Sequence, residues 1–453
     1  MRKFGINGYR YLQDISITGT KNYNNAYSVL RLVNEERQKQ GLNALVMNKS
    51  LLETAMMRAG EIAVCFSHTR PDGSSCAEAN SLLMAENIAG GQGSPESVMN
   101  AWMNSQGHKG NILLADAKTI GIGCFEIDGV LYWVQCFGNG DDSVDCAKPL
   151  NCKINQTISL ATEEFSNATT GTGIVWSSDN SSYSYNFYVD IASTSIYSTK
   201  STTAKLYLKN AGYEYYSVPI NNTGVTWTSS SSKIATVSSS GKITGTGKGT
   251  ASISAKLKYF SASEKVTVSK YTQKISCSSS ITKTYGNSSF ALNAKITQGN
   301  GKLSYTSSNS KVATVSSSGR VTIKGVGKCT ITVKASETSA YNYASKKITI
   351  TVKPKATSIS SVSAGSKKFT VKWKKQATQT TGYQIQYSTN SKFSKAKTVT
   401  VGKNSTTSKA IKKLKGKKKY YVRVRTYKTV KINGKATKIY SSWSKAKSVT
   451  TKK

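Results

Sequence analysis

The hydrophobic rhythm of the chain changes about a third of the way along. Up to about residue 140, apolar positions recur at helical spacing. From about 150 onward they alternate with Ser, Thr, Lys and Tyr, the two-residue period of strands. Val29, Leu30, Val33 and Arg37 mark one face of a helix that Gly41 can end. Ser50 and Glu53 form a capping box, each side chain able to bond the other's free backbone N–H. Behind it, Leu52, Ala55, Met56, Ala59 and Ile62 repeat at helical spacing. Ser94-Pro95-Glu96 opens a third helix with an N-cap, a proline at the first helical position and an acid near the dipole. Val98, Ala101 and Trp102 line its buried face. Residues 119–127 and 130–137 alternate as two strands joined at Asp128-Gly129, a hairpin signal. The front domain is mixed α/β.

The rest of the chain contains an internal repeat. Val225-Thr226-Trp227-Thr228-Ser229-Ser230 returns as Leu303-Ser304-Tyr305-Thr306-Ser307-Ser308, Lys233-Ile234-Ala235-Thr236-Val237 as Lys311-Val312-Ala313-Thr314-Val315, and Gly241 as Gly319. The offset is 78, and a two-residue insertion near Ile323-Lys324 is expected to raise it to 80, placing Cys329 opposite Gly249. Each copy has the short alternating strands of a β-sandwich. Both resemble bacterial immunoglobulin-like domains of group 2, over 186–270 and 271–353. The last hundred residues alternate in Phe369–Trp373, Tyr383–Tyr387 and Tyr421–Arg425, and Leu414 lies six residues before Tyr420. That spacing suits a tyrosine corner, in which the phenol bonds back to the preceding turn. This module, 354–453, resembles a fibronectin type III domain with Trp373 as its core tryptophan.

Charge divides the chain in the same place. Its 453 residues carry a net +41, yet residues 1–145 hold 12 Lys/Arg and 15 Asp/Glu. No acidic residue follows Glu337. Such an asymmetry suggests chemistry or ligand binding in front and attachment to a polyanion behind. The clustered Lys412, Lys413, Lys415, Lys417, Lys418 and Lys419 would suit a cell-wall polymer such as teichoic acid or another surface glycan; the plainer alternative is a solvated surface. Nucleic acid is disfavoured, because no helix-turn-helix, zinc or RNA-recognition motif accompanies the charge. A hydrophobic share of 38% with mean hydropathy −0.38 excludes a wholly disordered chain, and no apolar run reaches the roughly 18 residues of a spanning helix.

Eight cysteines stand at 65, 76, 124, 136, 146, 152, 277 and 329, without a CxxC pair. Cys65/Cys76 and Cys146/Cys152 are close enough in sequence to read as loop staples, which implies an oxidising, extracytoplasmic setting. Cys277 and Cys329 are each private to the second repeat and are expected to pair. Residue 124 should face 133 across the hairpin, leaving Cys136 out of register with Cys124. Residues 1–25 read as a polar leader segment without an apolar stretch after Met1-Arg2-Lys3, and 141–185 as a linker.

Only two histidines exist, and both lie in front. His68 sits in the run Ser67-His68-Thr69-Arg70-Pro71-Asp72-Gly73. Glu86 sits in Ala85-Glu86-Asn87-Ile88-Ala89, and His108 in the run Gly107-His108-Lys109-Gly110-Asn111-Ile112-Leu113. With Leu32-Val33-Asn34-Glu35-Glu36-Arg37, Ile120-Gly121-Ile122-Gly123-Cys124 and Tyr132-Trp133-Val134-Gln135-Cys136, these stretches resemble the CAP superfamily of cysteine-rich secretory and pathogenesis-related proteins, in its bacterial branch, over about 26–140. The resemblance implies an α-β-α sandwich, secretion, and a cleft lined by two His and two acidic residues. His68 and Glu86 fall on the first His and first Glu of that cleft. Ser105 stands where the second Glu is usual, and the Tyr132–Gln135 segment where the second His is usual; His108 belongs to the bacterial pattern.

The expected fold is thus multidomain α+β: an α-β-α sandwich followed by three β-sandwiches. The expected role is a secreted, cell-surface protein that binds a lipid or wall-derived ligand through His68, Glu86, Ser105, His108, Tyr132 and Gln135, without a cofactor. A hydrolase using His68, Glu86 and His108 as an acid/base set is the second reading, although no motif positions a nucleophile. A third is a structural adhesin with a silent front domain. As metal ligands His68, Glu86 and His108 would make only a weak set, because a firm site wants three or four protein ligands.

Overall fold

The structure, a computed structural model, describes residues 10–140, 147–163, 172–176, 182–213 and 216–453. The chain divides into two compact units, Met1–Ser269 and Lys270–Lys453.

In the first unit the elements run β1 (Arg10–Lys21), α1 (Tyr23–Lys39), β2 (Val46–Met47), α2 (Lys49–Val64), β3 (Leu83–Gly90), α3 (Pro95–Met103), α4 (Gln106–Ile112), β4 (Thr119–Ile127), β5 (Val130–Gly138) and β6 (Cys152–Glu163). The strand order β1-β4-β5-β3 leaves β3 at the edge. Helices cover both faces, so the expected α-β-α sandwich is present. Gly121 and Gly123 on β4 let α2 lie directly on the sheet: a Cβ at either would meet the Leu51 or Ala55 backbone at 2.0 Å. On the other face Val29 and Val33 of α1 and Val98, Met99 and Trp102 of α3 bury against Ile120, Ile122, Trp133 and Phe137. Arg37, fully buried, ties these layers by donating to the carbonyls of Asn43, Ile112 and Leu114 at 2.8–2.9 Å. It caps the end of α4, whose last carbonyls would otherwise lack partners.

The helix and hairpin signals hold with two corrections. Ala101 is exposed, and Met99 takes its expected place on the buried face of α3 with Val98 and Trp102. Helix α2 starts before the Ser50/Glu53 box: Asn48 is the N-cap and accepts from the Leu51 N–H at 3.0 Å. Ser50 instead receives Asn80 Nδ2 at 2.9 Å. Asp128 and Gly129 both take positive φ, 51° and 82°, as the two-residue turn requires, and Cys124 faces Trp133.

Two segments differ from their sequence readings. The part of the polar leader within the described residues is β1, which pairs β6 along its full length from Arg10↔Glu163 to Lys21↔Cys152. Alternation explains it: Ile15 and Ile17 point inward while their neighbours are hydrophilic. Likewise β6 lies within the 141–185 segment. The chain beyond it closes onto α2, where Asn210 Nδ2 donates to the Ile62 and Ala63 carbonyls at 2.8 and 2.7 Å.

The repeat survives in detail, with a further correction. Trp227 pairs Ala255 and Tyr305 pairs Val333. Gly241 and Gly319 take φ of 78° and 77°, each under its copy's aromatic ring. Gly249 abuts Ile234 as Gly327 abuts Val312. The offset therefore stays at 78 with no insertion, and Cys329 stands opposite Ala251, a core position buried in both copies. In the last module Trp373 is buried and the Tyr420 phenol accepts from the Lys415 N–H at 3.2 Å, as a tyrosine corner should. Arg423 and Arg425 stack around Trp443, 4.9 and 4.2 Å from its ring centre, and bond Gln386 and Gln384.

The expected disulfides are not formed among the described residues: Cys65, Cys76, Cys124, Cys136, Cys152, Cys277 and Cys329 are free thiols. Cys65 is buried at the end of α2 and bonds Tyr185, whereas Cys76 turns toward His68. Cys329 packs in the core and bonds Ser307, while Cys277 lies half-buried beside Tyr305. Cys146, the expected partner of Cys152, lies outside the described residues. No helix of the described residues is long and apolar enough to cross a membrane.

Candidate functional site

The site is built on β3. Neighbouring side chains on a strand point to opposite faces, and Glu86 and Asn87 divide accordingly. Glu86 faces α2, where its carboxylate takes Arg58 Nε at 2.9 Å and Nη2 at 3.2 Å. Arg58 is itself fully buried and also donates to Glu61 Oε2 at 2.8 Å and the Ser67 carbonyl at 2.8 Å. Arg70 completes the set on Glu61 at 2.7 Å. Burial alone would lower the Arg58 pKa, but Glu86 and Glu61 outweigh it and hold the guanidinium above its ordinary range. Burial would raise Glu86, yet His68 and Arg58 keep it below the usual carboxylate range.

His68 arrives from the loop after α2. Its Nδ1 lies 2.8 Å from Glu86 Oε2, with 55% of the histidine side chain exposed and the Glu86 side chain 1% exposed. Contact with Cys76 and then with Glu86 raises the His68 pKa to about 9, so the ring is cationic at neutral pH. Cys76 is held there by its backbone N–H, which donates to the His68 carbonyl at 2.9 Å. Ring nitrogen, thiol and carboxylate lie within 4.8 Å of one another.

On the far face of β3, Asn87 Nδ2 donates to the His108 carbonyl at 3.0 Å and to Gln135 Oε1 at 2.9 Å. Asn111 Nδ2 donates to Asn87 Oδ1 at 2.8 Å. These amides pin α4 against the edge strand. His108 is half-buried, and burial followed by the His68 charge lowers its pKa.

The structure thus brings His68 and Glu86 into contact and sets His108 within reach of the His68 charge. Ser105 is half-buried at the N-cap of α4 and makes no capping bond. Gln135 is fully buried on the α3 face, and Tyr132 is buried on the α2 face near Tyr216. Neither side chain is open to a ligand. As a metal set the residues fit poorly: His108 is not in the cluster, and both Glu86 oxygens are taken by Arg58. Sequence reasoning missed Arg58, Glu61, Asn87, Asn111 and Cys76. Asn87 and Asn111 lie inside the motifs already quoted, but nothing in a sequence shows that Arg58 points inward from α2.

Known proteins resemble separate parts of the chain. The model of the cysteine-rich secretory protein family matches residues 30–137. The bacterial Ig-like group 2 model matches 213–269, the intimin immunoglobulin-like model 293–337, and the fibronectin type III model 353–442. The uncharacterised protein YkwD of Bacillus subtilis is 38% identical over 117 residues, which are 24% of this chain and 45% of that protein. The chain thus spans about half the length of the curated relative it matches. Among solved structures, an extracellular protein containing an SCP domain from Bacillus anthracis is 22% identical over 26% of this chain and 41% of its own, with a TM-score of 0.24. A cysteine-rich secretory protein from Staphylococcus aureus is 18% identical over 26% of this chain and 39% of its own, with a TM-score of 0.21. The chain carries a CAP-family domain, followed by bacterial Ig-like modules and a fibronectin type III module.

Proposed function

We propose that the protein is secreted, resides at the bacterial cell surface, and binds a lipid or wall-derived ligand bearing an acidic group at His68. The observation that supports this reading is the pairing of a half-exposed His68 with a buried Glu86. Cys76 and Glu86 hold the imidazole cationic at neutral pH, and His68 with Arg58 keeps Glu86 ionised inside the domain. A fixed, partly exposed N–H cation beside the half-buried His108 suits a carboxylate or phosphate. The basic sandwiches then serve as a stalk that adheres to wall polyanions.

Native mass spectrometry of the full chain, incubated with wall and lipid extracts, tests the binding role. A bound mass on the wild type that disappears in His68→Gln supports it. No bound mass, or one retained by the variant, contradicts it.

A further inference from the structure

The cluster at His68 holds a group that ligand binding does not use. We propose that Cys76 is a nucleophilic thiol, served by His68 as proton carrier and positioned through Glu86, and that it takes acyl groups from exposed esters or amides. This goes beyond the binding role and stands or falls separately from it.

The three groups form one compact cluster at the edge strand. Glu86, 1% exposed and clamped by Arg58, orients Nδ1 of His68 at 2.8 Å. The thiol lies within 4.8 Å of both the ring and the carboxylate, on a 3-10 turn spanning Cys76–Ala79 whose N-cap Ser75 and Glu78 bond each other's backbone. A nucleophile beside a base that a third group orients is the arrangement that activates thiols. The thiolate is the reactive form of a cysteine. The contrast with Cys65 and Cys124 is informative. Burial pushes both thiols up to about 12 and leaves them inert, while Cys76 is half-exposed.

The step balances without a cofactor. The Cys76 thiolate bonds the carbonyl carbon, the bond to the alcohol or amine breaks, and the leaving group takes the proton held by His68. Water then attacks the thioester while His68 accepts its proton. The acid is released, and the thiolate–imidazolium pair is restored.

Two measurements on the full chain test this, with circular dichroism confirming that the variant folds. The first is the iodoacetamide rate at the Cys76 peptide at pH 7, in wild type and His68→Gln. The second is acylation by p-nitrophenyl acetate, read by peptide mass, in wild type and His68→Gln. We expect a tenfold or greater loss of alkylation rate in His68→Gln. We also expect an acetyl group on Cys76 that turns over in wild type and outlasts the reaction in His68→Gln. Equal alkylation rates, no acetyl transfer to Cys76, or a Cys76 locked in a disulfide in the secreted protein would each overturn the proposal.

Discussion

Glu86 and Asn87 are adjacent in sequence and serve opposite faces of one edge strand: Glu86 holds the His68 ring at 2.8 Å, and Asn87 holds the His108 carbonyl at 3.0 Å. An edge strand allows this arrangement, because chain can wrap past it on both sides. Two histidines separated by 40 positions are thereby placed close enough for the charge of one to depress the pKa of the other.

Removing Arg58 should expose the cost of burying Glu86. An ion pair broken inside a protein leaves an uncompensated charge, at about 3–5 kcal/mol. Arg58→Met is expected to lose about that much stability in urea titration. Adding Glu86→Gln should restore part of it, since no buried carboxylate is then left with His68 alone to offset its charge. A single variant as stable as wild type would show that the pair contributes little.

The pH dependence has a definite sign. His68 is raised from an ordinary value of 6.5 to about 9 in the folded chain, so the folded state binds more protons between those values. Its contribution is complete below about pH 6.5 and is lost as pH rises toward 9. The melting temperature of the first unit should fall across that window, and the fall should be shallower in His68→Gln. Parallel profiles in the two proteins would count against a charged His68–Glu86 pair.

In the last module Arg423 and Arg425 both pack on the Trp443 ring. Trp443→Ala removes two cation–π contacts and leaves Arg423 on Phe393 and Arg425 on Tyr440, and should cost about 1–3 kcal/mol. Differential scanning calorimetry would check it; a change under about 0.3 kcal/mol would mean the stack is decorative.

Residues 355–453 contain 27 Lys/Arg and no Asp or Glu, so no carboxylate side chain in that module can neutralise them. Retention of the full chain on Gram-positive walls should therefore fall at least about tenfold between roughly 50 and 500 mM salt, as screening shortens. It should fall similarly when teichoic acid is stripped. Retention indifferent to both would leave the charge as a solubility feature.

Much of this was legible in the sequence because it is local. Helix spacing, the Asp128-Gly129 turn, the repeat, and the His68 and Glu86 motifs all declare themselves within a few residues. The rest depends on direction in space. Spacing alone paired Cys65 with Cys76, but the fold turns one thiol toward Tyr185 and the other toward His68. β1 was hidden because only Ile15 and Ile17 give it an apolar face, against Thr, Ser and Gln neighbours. Cys329 was misplaced by two positions because the glycines that fix the register, Gly249 and Gly327, pack on side chains far away in sequence.

The account rests on a cationic His68 held by Cys76 and buried Glu86, and the chain's two histidines make that directly observable. Labelling the full chain with ¹³C-histidine should give two imidazole resonances, assigned by His68→Gln. One should titrate near 9 and the other, His108, below 6.5. Two histidines titrating together near 6.5 would contradict the account.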